Sequence, residues 1–378
     1  MVNRTFWIKA LQKAWKRRSV LWLCGVRRSG KTMLCRSIPG IGYFDCELPR
    51  IRRILEDPES FLENCKHNRV AFDEIHRLNN ASELLKIAAD YFPKIKIIAT
   101  GSSTLEASAK FKDTLAGRKE TIFITPMTTS DLDDFGNIDL ARRLYKGGLP
   151  PFLLSKKLPE HYYQEWVDAY WAKDVQELFR LEQRHAFQKF FEMLMTQSGG
   201  LFEATRFAGP CEVSRGTISN YLKALEETFV VHVVRPFSSY KPSEIIAAPK
   251  TYAFDSGFVA YYRGWRDERP EDMGILWEHF VLNELIARLQ TRKIFYWRDK
   301  SGHEVDFIFV KKGEGPIAIE CKWRASEFTP QNLCVFRKHY PKGENLVVAQ
   351  DVKAPYKKKY ACGPVTFMPL ADLAGRLA

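Results

Sequence analysis

Short apolar runs of strand length alternate with stretches of helical spacing over the first third of the chain. The runs lie at residues 20–24, 42–45, 70–73, 95–100 and 121–124. Such alternation is typical of a parallel sheet with helices packed on its faces. The pattern therefore predicts an α/β domain that begins near residue 20 and ends near residue 124.

Apolar and basic positions in front of the first run predict an amphipathic helix. Trp7, Leu11, Ala14 and Trp15 recur at helical spacing, and most of the remaining surface is basic, with Lys9, Lys13, Lys16, Arg17 and Arg18. Two roles are open for this helix. It is either an arm that faces nucleic acid or phosphate, or a helix that packs on the next domain through its tryptophans, and we favour packing.

The strand signals stop after residue 130 and do not return until about residue 198. Helical spacing of large apolar side chains replaces them, for example at 166–179 and at 187–194. Glycines and prolines at 147–151 interrupt this region as a turn. The pattern predicts a helical subdomain that follows the sheet.

Residues 202–225 have the spacing of a helix-turn-helix. Gly209-Pro210 would form the turn, and Ser214 would cap the second helix. A β-branched strand at 228–235 would then supply the wing of a winged helix. The residues predicted to face outward and to contact DNA are Arg215, Thr217, Ser219, Asn220 and Lys223. The alternative is a helical pair that serves only as a hinge or packing unit.

Length and charge narrow the classes of function. The chain has 378 residues, which predicts two or three domains rather than one small module. Its 58 lysines and arginines against 45 aspartates and glutamates give a net charge of +13. Such a charge favours a polyanionic partner, most simply nucleic acid, and the alternative is a basic surface that is merely solvated.

The eight cysteines are scattered, without a C-x-x-C pair or a neighbouring cluster of histidines. This spacing argues against a zinc site and against a disulfide framework. The longest early apolar run, at 20–26, is about a third of the ~20 residues that a membrane span requires. We therefore expect a cytoplasmic protein with reduced thiols and no membrane partner.

The loop after the first apolar run carries a phosphate-binding motif. Its sequence, GVRRSGKT, satisfies G-x-x-x-x-G-K-[ST] and lies between a predicted strand and a predicted helix. Backbone N–H groups would surround the phosphates of ATP, Lys31 would bridge the β- and γ-phosphates, and the Thr32 hydroxyl would bind Mg²⁺. The predicted cofactor-binding residues are Gly25, Arg27, Arg28, Ser29, Gly30, Lys31, Thr32 and Asp73.

The apolar strand at 70–73 ends in two acids. Asp73 would hold Mg²⁺ through its water shell. Glu74 comes one residue later and is aimed differently, so it would polarise the attacking water. Together with the phosphate-binding loop, this pair predicts a Walker B element with a catalytic glutamate.

Three further residues are candidates for the same reaction. Thr100 and Ser102 end another apolar strand, where they would orient the water or would only cap the next helix. Arg118 precedes the last core strand. It would reach the γ-phosphate of a neighbouring subunit as an arginine finger, or it is only a surface charge.

A helix predicted at 274–290 carries an acid on its apolar face. At 100° per residue, Glu278 falls in the middle of that face, whereas Glu284 points away from it. A carboxylate that faces a core needs a partner. The downstream strands supply the candidates.

Three charged residues lie on two predicted strands downstream of this helix, at 304–309 and 317–323. Asp306 is within the first strand, and Glu320 and Lys322 project to the same side of the second. If the strands pair, Glu278, Asp306 and Glu320 would bind Mg²⁺ or Mn²⁺, and Lys322 would activate water or stabilise a phosphorane-like transition state. The alternative is a buried salt-bridge cluster that only specifies the fold.

The chain as a whole resembles a bacterial and archaeal family of AAA-type ATPases that join a P-loop core to a C-terminal domain of uncharacterised role. The resemblance rests on the combination of GVRRSGKT, AFDEIH, ATGSS, LAGR, GGLPPF, EWVDAYWAKDV, PKTYAFDSG, the Trp277-Glu278 helix, and EVDFIF followed by IECKW. It implies an α/β fold with a P-loop AAA core, a parallel sheet, a helical lid, a winged helix and a C-terminal domain similar to PD-(D/E)xK nucleases. By that resemblance Asp306, Glu320 and Lys322 occupy the nuclease motif positions, and Arg118 gains support as a finger.

The expected regions are an AAA core at 1–125, a lid at 126–197, a winged helix at 198–240 and a nuclease-like domain at 241–378. We expect an ATPase, with ATP and Mg²⁺ as cofactors, that drives a DNA-binding C-terminal half. Further copies of the chain are expected partners. Two other classes stay open: a nucleotide-gated DNA- or protein-binding switch with an inactive nuclease-like domain, and an ATPase with a protein client.

Overall fold

The computed structural model describes residues 2–101, 109–157, 159–176, 183–238, 248–265, 269–311 and 313–377. The strands of its first sheet are β1 (Val20–Cys24), β2 (Gly42–Asp45), β3 (Arg69–Asp73), β4 (Lys96–Thr100) and β5 (Lys119–Phe123). All neighbours pair in parallel, in the order β2-β3-β4-β1-β5. The predicted α/β fold is confirmed. Because the strands are parallel, the residues that follow β1, β3 and β4 meet at one edge.

Helices cover this sheet and place the N-terminal segment against it. They are α1 (Thr5–Trp15), α2 (Lys31–Ser37), α3 (Pro49–Ile54), α4 (Pro58–Glu63), α5 (Ala81–Tyr91) and α6 (Ala109–Thr114). The apolar stripe of α1 is buried, including both Trp7 and Trp15, while Lys9, Lys13 and Lys16 are exposed. This is the packed arrangement that the spacing favours.

A helical region follows, as predicted. Its helices are α7 (Thr129–Asp134), α8 (Leu140–Lys146), α9 (Pro150–Leu153), α10 (His161–Tyr170), α11 (Arg184–Thr196), α12 (Ala204–Ala208) and α13 (Arg215–Glu227). A π-helical turn at Trp171–Val175 extends α10. Ser214 caps α13 as expected, because its hydroxyl accepts a hydrogen bond from the Thr217 N–H at 3.0 Å.

The second sheet is mixed and has eight strands in the described residues. They are β6 (Val231–Pro236), β7 (Lys250–Ala253), β8 (Phe295–Arg298), β9 (Glu304–Phe309), β10 (Ile317–Lys322), β11 (Asn345–Ala349), β12 (Tyr356–Tyr360) and β13 (Gly363–Met368). Their order is β12-β13-β11-β10-β9-β8-β6-β7. The helices around them are α14 (Ser256–Tyr262), α15 (Pro270–Leu289), α16 (Gln331–His339) and α17 (Leu370–Leu377).

Strand β6 joins the segment predicted as a winged helix to the C-terminal sheet. It pairs with β7 in antiparallel and with β8 in parallel orientation. One continuous apolar core also extends from α10 and α11 through α13 to α15. The region before residue 240 and the region after it therefore share both a sheet and a core.

Helix α15 is the central helix between the two sheets. Trp277 at its middle donates to the Val348 carbonyl of β11 at 3.1 Å, and Gln290 just after its end accepts from the Phe123 N–H of β5 at 2.8 Å. Glu284, predicted to point away from the apolar face, is therefore buried as well, with 1% of its side chain exposed. It pairs with Arg288 at 2.6 Å and accepts from the Thr129 N–H. A helix covered on both sides has no solvent face for such an acid.

The prediction that all cysteine thiols are reduced is wrong. Cys334 of α16 and Cys362 in the turn between β12 and β13 form a disulfide across 28 residues. Only the tertiary structure brings their Cα atoms to 4.7 Å. The other six cysteines form no disulfide. In the part of the chain that is described, no helix is long and apolar enough to cross a membrane.

Candidate functional site

The loop after β1 curves around the start of helix α2 because two of its glycines adopt left-handed backbone angles. Gly25 has φ 152° and Gly30 has φ 94°. A Cβ on Gly25 would lie 2.2 Å from the Ile124 carbonyl oxygen, so no larger residue fits there. Helix α2 begins at Lys31, directly after the loop. Its N-terminus and the loop N–H groups therefore face the same point, which suits an anion.

The polar side chains of this loop are arranged for a phosphate. The Lys31 ammonium folds back and donates to the Gly25 and Val26 carbonyls at 2.8 and 3.1 Å. Burial lowers the pKa of Lys31, although the charges of Glu74, Asp174 and Asp73 oppose that shift. The buried Ser29 hydroxyl has no hydrogen-bond partner among the described residues. A phosphate would supply the partner that the Ser29 hydroxyl lacks and would bind the Lys31 ammonium in place of the two carbonyls.

Asp73 is the centre of a hydrogen-bond network at the end of β3. Its carboxylate accepts from the Thr32 hydroxyl at 2.7 Å and from the Tyr43 hydroxyl at 2.5 Å. The Thr100 hydroxyl donates to its other oxygen. Thr32 and Asp73 therefore lie together and fit a Mg²⁺ bound beside the phosphates. Tyr43 is a member of this network that the sequence pattern did not reveal.

Glu74 is turned out of the line of β3. Its φ of 55° is left-handed, which is strained for a glutamate, and its N–H donates to the Thr100 hydroxyl at 3.0 Å. Its carboxylate lies 3.2 Å from the Nδ1 atom of His76. Burial would raise the pKa of Glu74, but His76 and the charges of Lys31 and Arg27 outweigh burial and lower it. Thr100 therefore positions Asp73 and Glu74, while Ser102 lies outside the described residues.

Asp73 and Glu74 stand beside a cleft of about 440 Å³ that the helical region closes. Arg27 of the loop forms an ion pair at 2.8 Å with Asp174 in the π-helical turn, and its carbonyl accepts from Trp166 of α10 at 3.4 Å. Arg28 is exposed at the rim. Lys173, Asp174, Tyr170 and Phe229 line the far wall. Asp174 lies within the EWVDAYWAKDV stretch, but the sequence pattern assigned it no role in this cleft, because its role depends on a contact across 147 residues.

A buried ion pair between Arg4 and Asp131 holds the phosphate-binding loop in place. Arg4, just before α1, forms two hydrogen bonds with Asp131 at 2.7 and 2.8 Å and also donates to the Ser29 carbonyl at 2.9 Å. The side chains of Arg4 and Asp131 are 4% and 0% exposed. Burial would raise the pKa of Asp131, but the Arg4 guanidinium outweighs burial and lowers it. Arg4 thus connects α1, the helical region and the phosphate-binding loop.

Arg118 lies at the opposite edge of the sheet. It precedes β5, whereas the phosphate-binding loop follows the carboxyl end of β1, so roughly 15 Å of strand separate the two. Its side chain is one-third exposed and pairs with Asp90 at 2.7 Å. Arg118 therefore does not contact the cleft of its own chain.

The outer surface of α13 presents the residues predicted to contact DNA. Arg215, Ser219, Asn220 and Lys223 are exposed, and Thr217 is half-buried. The Thr217 hydroxyl is 2.9 Å from that of Ser214, so it belongs to the helix cap. The Lys223 side chain is 72% exposed and lies 3.9 Å from Glu227.

The predicted C-terminal cluster assembles around the pair β9 and β10. Asp306 and Glu320 come together because the two strands pair in antiparallel register. Lys322 lies 2.8 Å from Glu320 and 3.5 Å from Asp306, and Asp306 also accepts from the Cys321 N–H at 2.7 Å. Lys250 of β7 is a second cation in the cluster; it lies within the PKTYAFDSG stretch, but the sequence pattern assigned it no role at this site.

Lys250 links the helical acid to the strands. Its ammonium is 2.6 Å from Glu304 and 3.5 Å from Glu278. The Glu278 carboxylate also accepts from the Tyr252 hydroxyl at 2.5 Å. The cluster therefore contains four carboxylates and two ammonium groups.

The charged groups of the cluster shift one another's pKa values. Burial and the charge of Asp306 raise the pKa of Glu320 to about 8 and also raise the pKa of Glu278. Burial would lower the pKa values of Lys250 and Lys322, but the carboxylates outweigh it and raise both. Within the described ranges, no group of three or more His, Cys, Asp or Glu side chains is arranged to hold a metal ion. In the structure the carboxylates of the cluster pair instead with Lys250 and Lys322.

Comparison with protein families divides the chain into three matched stretches. Residues 17–132 match the model of an AAA domain. Residues 137–269 and 273–371 match two domains of unknown function, DUF8612 and DUF4143. The AAA match covers the whole parallel sheet and the phosphate-binding loop. This part of the chain therefore has an AAA-type, P-loop ATPase-like fold.

The curated relatives are themselves uncharacterised. Mb2031c of Mycobacterium bovis and Rv2008c of Mycobacterium tuberculosis are each 27% identical over 324 residues, which is 82% of this chain and 72% of theirs. Among solved structures, the RuvB Holliday junction branch migration motor of Thermotoga maritima is 16% identical, with a TM-score of 0.31 over 65% of this chain and 95% of that one. The DNA clamp loader delta protein of Bacillus subtilis is 12% identical, with a TM-score of 0.26 over 72% of this chain and 98% of that one. Similarities this distant carry no functional argument.

Proposed function

We propose that this chain is a Mg²⁺-dependent ATPase of the AAA type whose nucleotide cycle drives a DNA-binding C-terminal half. One observation carries the ATPase proposal. The glycine-wrapped loop, the Thr32–Asp73 pair and the out-turned Glu74 converge on a single cleft of about 440 Å³. That volume lies within the range of small-molecule sites.

Each residue of the cleft has a distinct role in this proposal. Lys31 leaves the Gly25 and Val26 carbonyls and binds the β- and γ-phosphates. Thr32 and Asp73 would hold Mg²⁺, which neutralises charge on the phosphates when it is bound. Glu74, held by the Thr100 hydroxyl and His76, orients the attacking water and accepts its proton.

The ion pair between Arg27 and Asp174 supports coupling of the cleft to the rest of the chain. Arg27 belongs to the phosphate-binding loop, and Asp174 belongs to the π-helical turn after α10. Phosphate oxygens compete with the Asp174 carboxylate for the same guanidinium. Nucleotide binding would thus release the turn, and α10 shares its apolar core with α13 and α15.

The experiment that tests the ATPase proposal is direct. Release of phosphate from ATP by the purified full chain is measured with Mg²⁺ and with EDTA. We expect turnover only with Mg²⁺, and it should rise when duplex or single-stranded DNA is added. An absence of turnover under all these conditions would contradict the proposal.

We further propose that neighbouring copies complete each other's sites through Arg118. Since Arg118 lies at the sheet edge opposite its own cleft, it can serve only the cleft of another chain. Arg118→Ala should lower turnover by about a hundredfold or more and leave ATP affinity nearly unchanged. Mixing this variant with Glu74→Gln should restore part of the activity. Where a Glu74→Gln chain donates its native Arg118 to the cleft of an Arg118→Ala chain, that cleft has both a native Glu74 and a native Arg118.

The matched control for Arg118 is Asp90→Ala, which removes the other member of the same surface ion pair. We expect it to hydrolyse ATP like the native chain. Sedimentation of the ATP-bound protein gives the second readout. A monomer that turns over at the native rate would refute the intersubunit role.

The DNA-binding proposal rests on α13 as the recognition helix of a winged helix. Its exposed surface carries Arg215, Ser219, Asn220 and Lys223, and the chain has a net charge of +13. Helices of this kind enter the major groove and place such side chains against phosphates and base edges. The nuclease-like C-terminal domain would then act on bound DNA or only hold it.

Replacement of both Arg215 and Lys223 by alanine should weaken binding to several duplexes. The slope of log affinity against log salt should fall by about two, because each lost phosphate contact removes about one released counterion. Fluorescence anisotropy at several salt concentrations measures this slope. The control is Lys9→Ala with Lys13→Ala, which removes equal charge from the exposed face of α1. If the control lowers the slope and the α13 variant does not, α1 is the DNA contact.

A further inference from the structure

Lys250 occupies a site that is built for an ammonium group. Its side chain is 6% exposed, and its ammonium lies between Glu304 at 2.6 Å and Glu278 at 3.5 Å. The ring centroids of Tyr252 and Tyr296 lie 5.5 and 5.8 Å from the same nitrogen. Aromatic faces attract an ammonium ion but offer no ligand atom to Mg²⁺ or Mn²⁺. The chemistry of this site therefore matches a lysine rather than a metal.

Neighbouring contacts hold the lysine in that site. The Tyr296 hydroxyl donates to the Ala248 carbonyl at 2.6 Å, two residues before Lys250. Lys250 itself pairs with Val234 of β6 and forms an isolated bridge with Leu201. The Tyr252 hydroxyl binds the Glu278 carboxylate and so fixes the acid that faces the ammonium. The backbone on which Lys250 is mounted is thus fixed at several points.

The two lysines divide the carboxylates into two pairs. Lys250 bridges Glu278 and Glu304, and Lys322 bridges Asp306 and Glu320. A divalent cation needs several carboxylate oxygens directed at one point. It would have to displace the ammonium of Lys250, whose side chain is 6% exposed, or that of Lys322, whose side chain is 26% exposed. At Lys250 the cost of that step includes the loss of a desolvated ion pair and of the contacts with Tyr252 and Tyr296.

We infer that Lys250 supplies, from within the chain, the positive charge that a divalent cation would otherwise bring to the C-terminal carboxylates. On the DNA-binding function proposed above, on which this step rests, the C-terminal domain then binds no divalent cation at these carboxylates and holds DNA without cutting it. One carboxylate oxygen, the buried Oε1 of Glu320, has no hydrogen-bond partner among the described residues. It is the ligand atom that a metal would use if the lysine were removed.

The test is a titration of Mn²⁺ into the nucleotide-free full chain, with free Mn²⁺ followed by electron paramagnetic resonance. Binding that disappears in Asp306→Asn reports the C-terminal cluster and excludes the nucleotide site. The native chain should show no such binding. Lys250→Met should gain one Asp306-dependent site, at least about tenfold tighter than anything in the native chain, because it removes a positive charge that lies 2.6 and 3.5 Å from Glu304 and Glu278 and also interacts with the charge of Asp306. Lys250→Arg should behave like the native chain, because it keeps the charge.

Two results would overturn the inference. One is Asp306-dependent Mn²⁺ binding by the native chain, and the other is a folded Lys250→Met that gains no site. Circular dichroism decides whether Lys250→Met is folded. If it is not, the comparison of the native chain with Asp306→Asn still decides: Asp306-dependent binding refutes the inference, and its absence supports it. DNA incubated with Mn²⁺ and the native chain should likewise show no Asp306-dependent cleavage.

Discussion

Glu74→Gln should bind ATP with nearly native affinity and hydrolyse it at least about a hundredfold more slowly. The amide is as large as the carboxylate, but it cannot accept a proton from the attacking water. Glu74 does not contact the loop carbonyls that hold Lys31, so phosphate binding should survive. The left-handed backbone at Glu74 and its contact with His76 keep the side chain aimed into the cleft in both forms.

Two variants make this prediction specific. Lys31→Ala should lose ATP binding itself, because it removes the only ammonium that the loop holds at its centre among the described residues. Glu47→Gln changes the same charge at another residue that lines the cleft and should be near native. Equilibrium binding of a fluorescent ATP analogue and steady-state phosphate release separate the two effects. Native turnover by Glu74→Gln would remove its assignment as the catalytic base.

Arg4→Met should destabilise the fold by about 3–5 kcal/mol, the range found when one member of a buried ion pair is removed. Asp131 would keep its hydrogen bonds from Trp7 and Thr128 but lose its only charged partner among the described residues. The Ser29 carbonyl would lose the Arg4 donor as well. We therefore expect weaker ATP binding together with the loss of stability. Urea unfolding and nucleotide titration measure the two.

The pH dependence of this loss distinguishes the ion pair from simple packing. Arg4 holds the pKa of Asp131 below its ordinary value in the folded chain. A depressed carboxyl pKa stabilises the fold above the unfolded pKa, about 3.9, and this contribution disappears as pH falls through the folded pKa. The difference in the free energy of unfolding between the native chain and Arg4→Met should therefore have its largest value at pH 7 and shrink below about pH 4. A difference that is constant with pH would assign the effect to packing alone.

The matched control for Arg4→Met is Asp134→Asn. Asp134 also connects α1 to α7, through the N–H and hydroxyl of Thr5, but it does so at the surface. Exposed interactions of this kind contribute about 0–1 kcal/mol. We expect a small loss of stability from this variant and no change in ATP affinity.

Local features of the fold are set by the sequence alone, because short-range chemistry determines them. The phosphate-binding loop needs glycines with left-handed angles between a strand and a helix, and the motif reports that need directly. Ser214 caps α13 through a contact only three residues away. Asp306 meets Glu320 because β9 and β10 are neighbours along the chain and pair in antiparallel register. Each of these results depends on residues close together in sequence or on adjacent elements.

The tertiary structure alone decides which distant groups complete each site. Arg4 finds Asp131 across 127 residues, Arg27 finds Asp174 across 147, and Lys250 finds Glu304 across 54. The disulfide between Cys334 and Cys362 has the same origin. Such partners have no fixed spacing in sequence, since any charged residue on a suitable element could meet them. For Arg4 and Lys250, whose side chains are 4% and 6% exposed, burial makes the pairing obligatory, because a charge removed from water is costly unless another group of the chain compensates it.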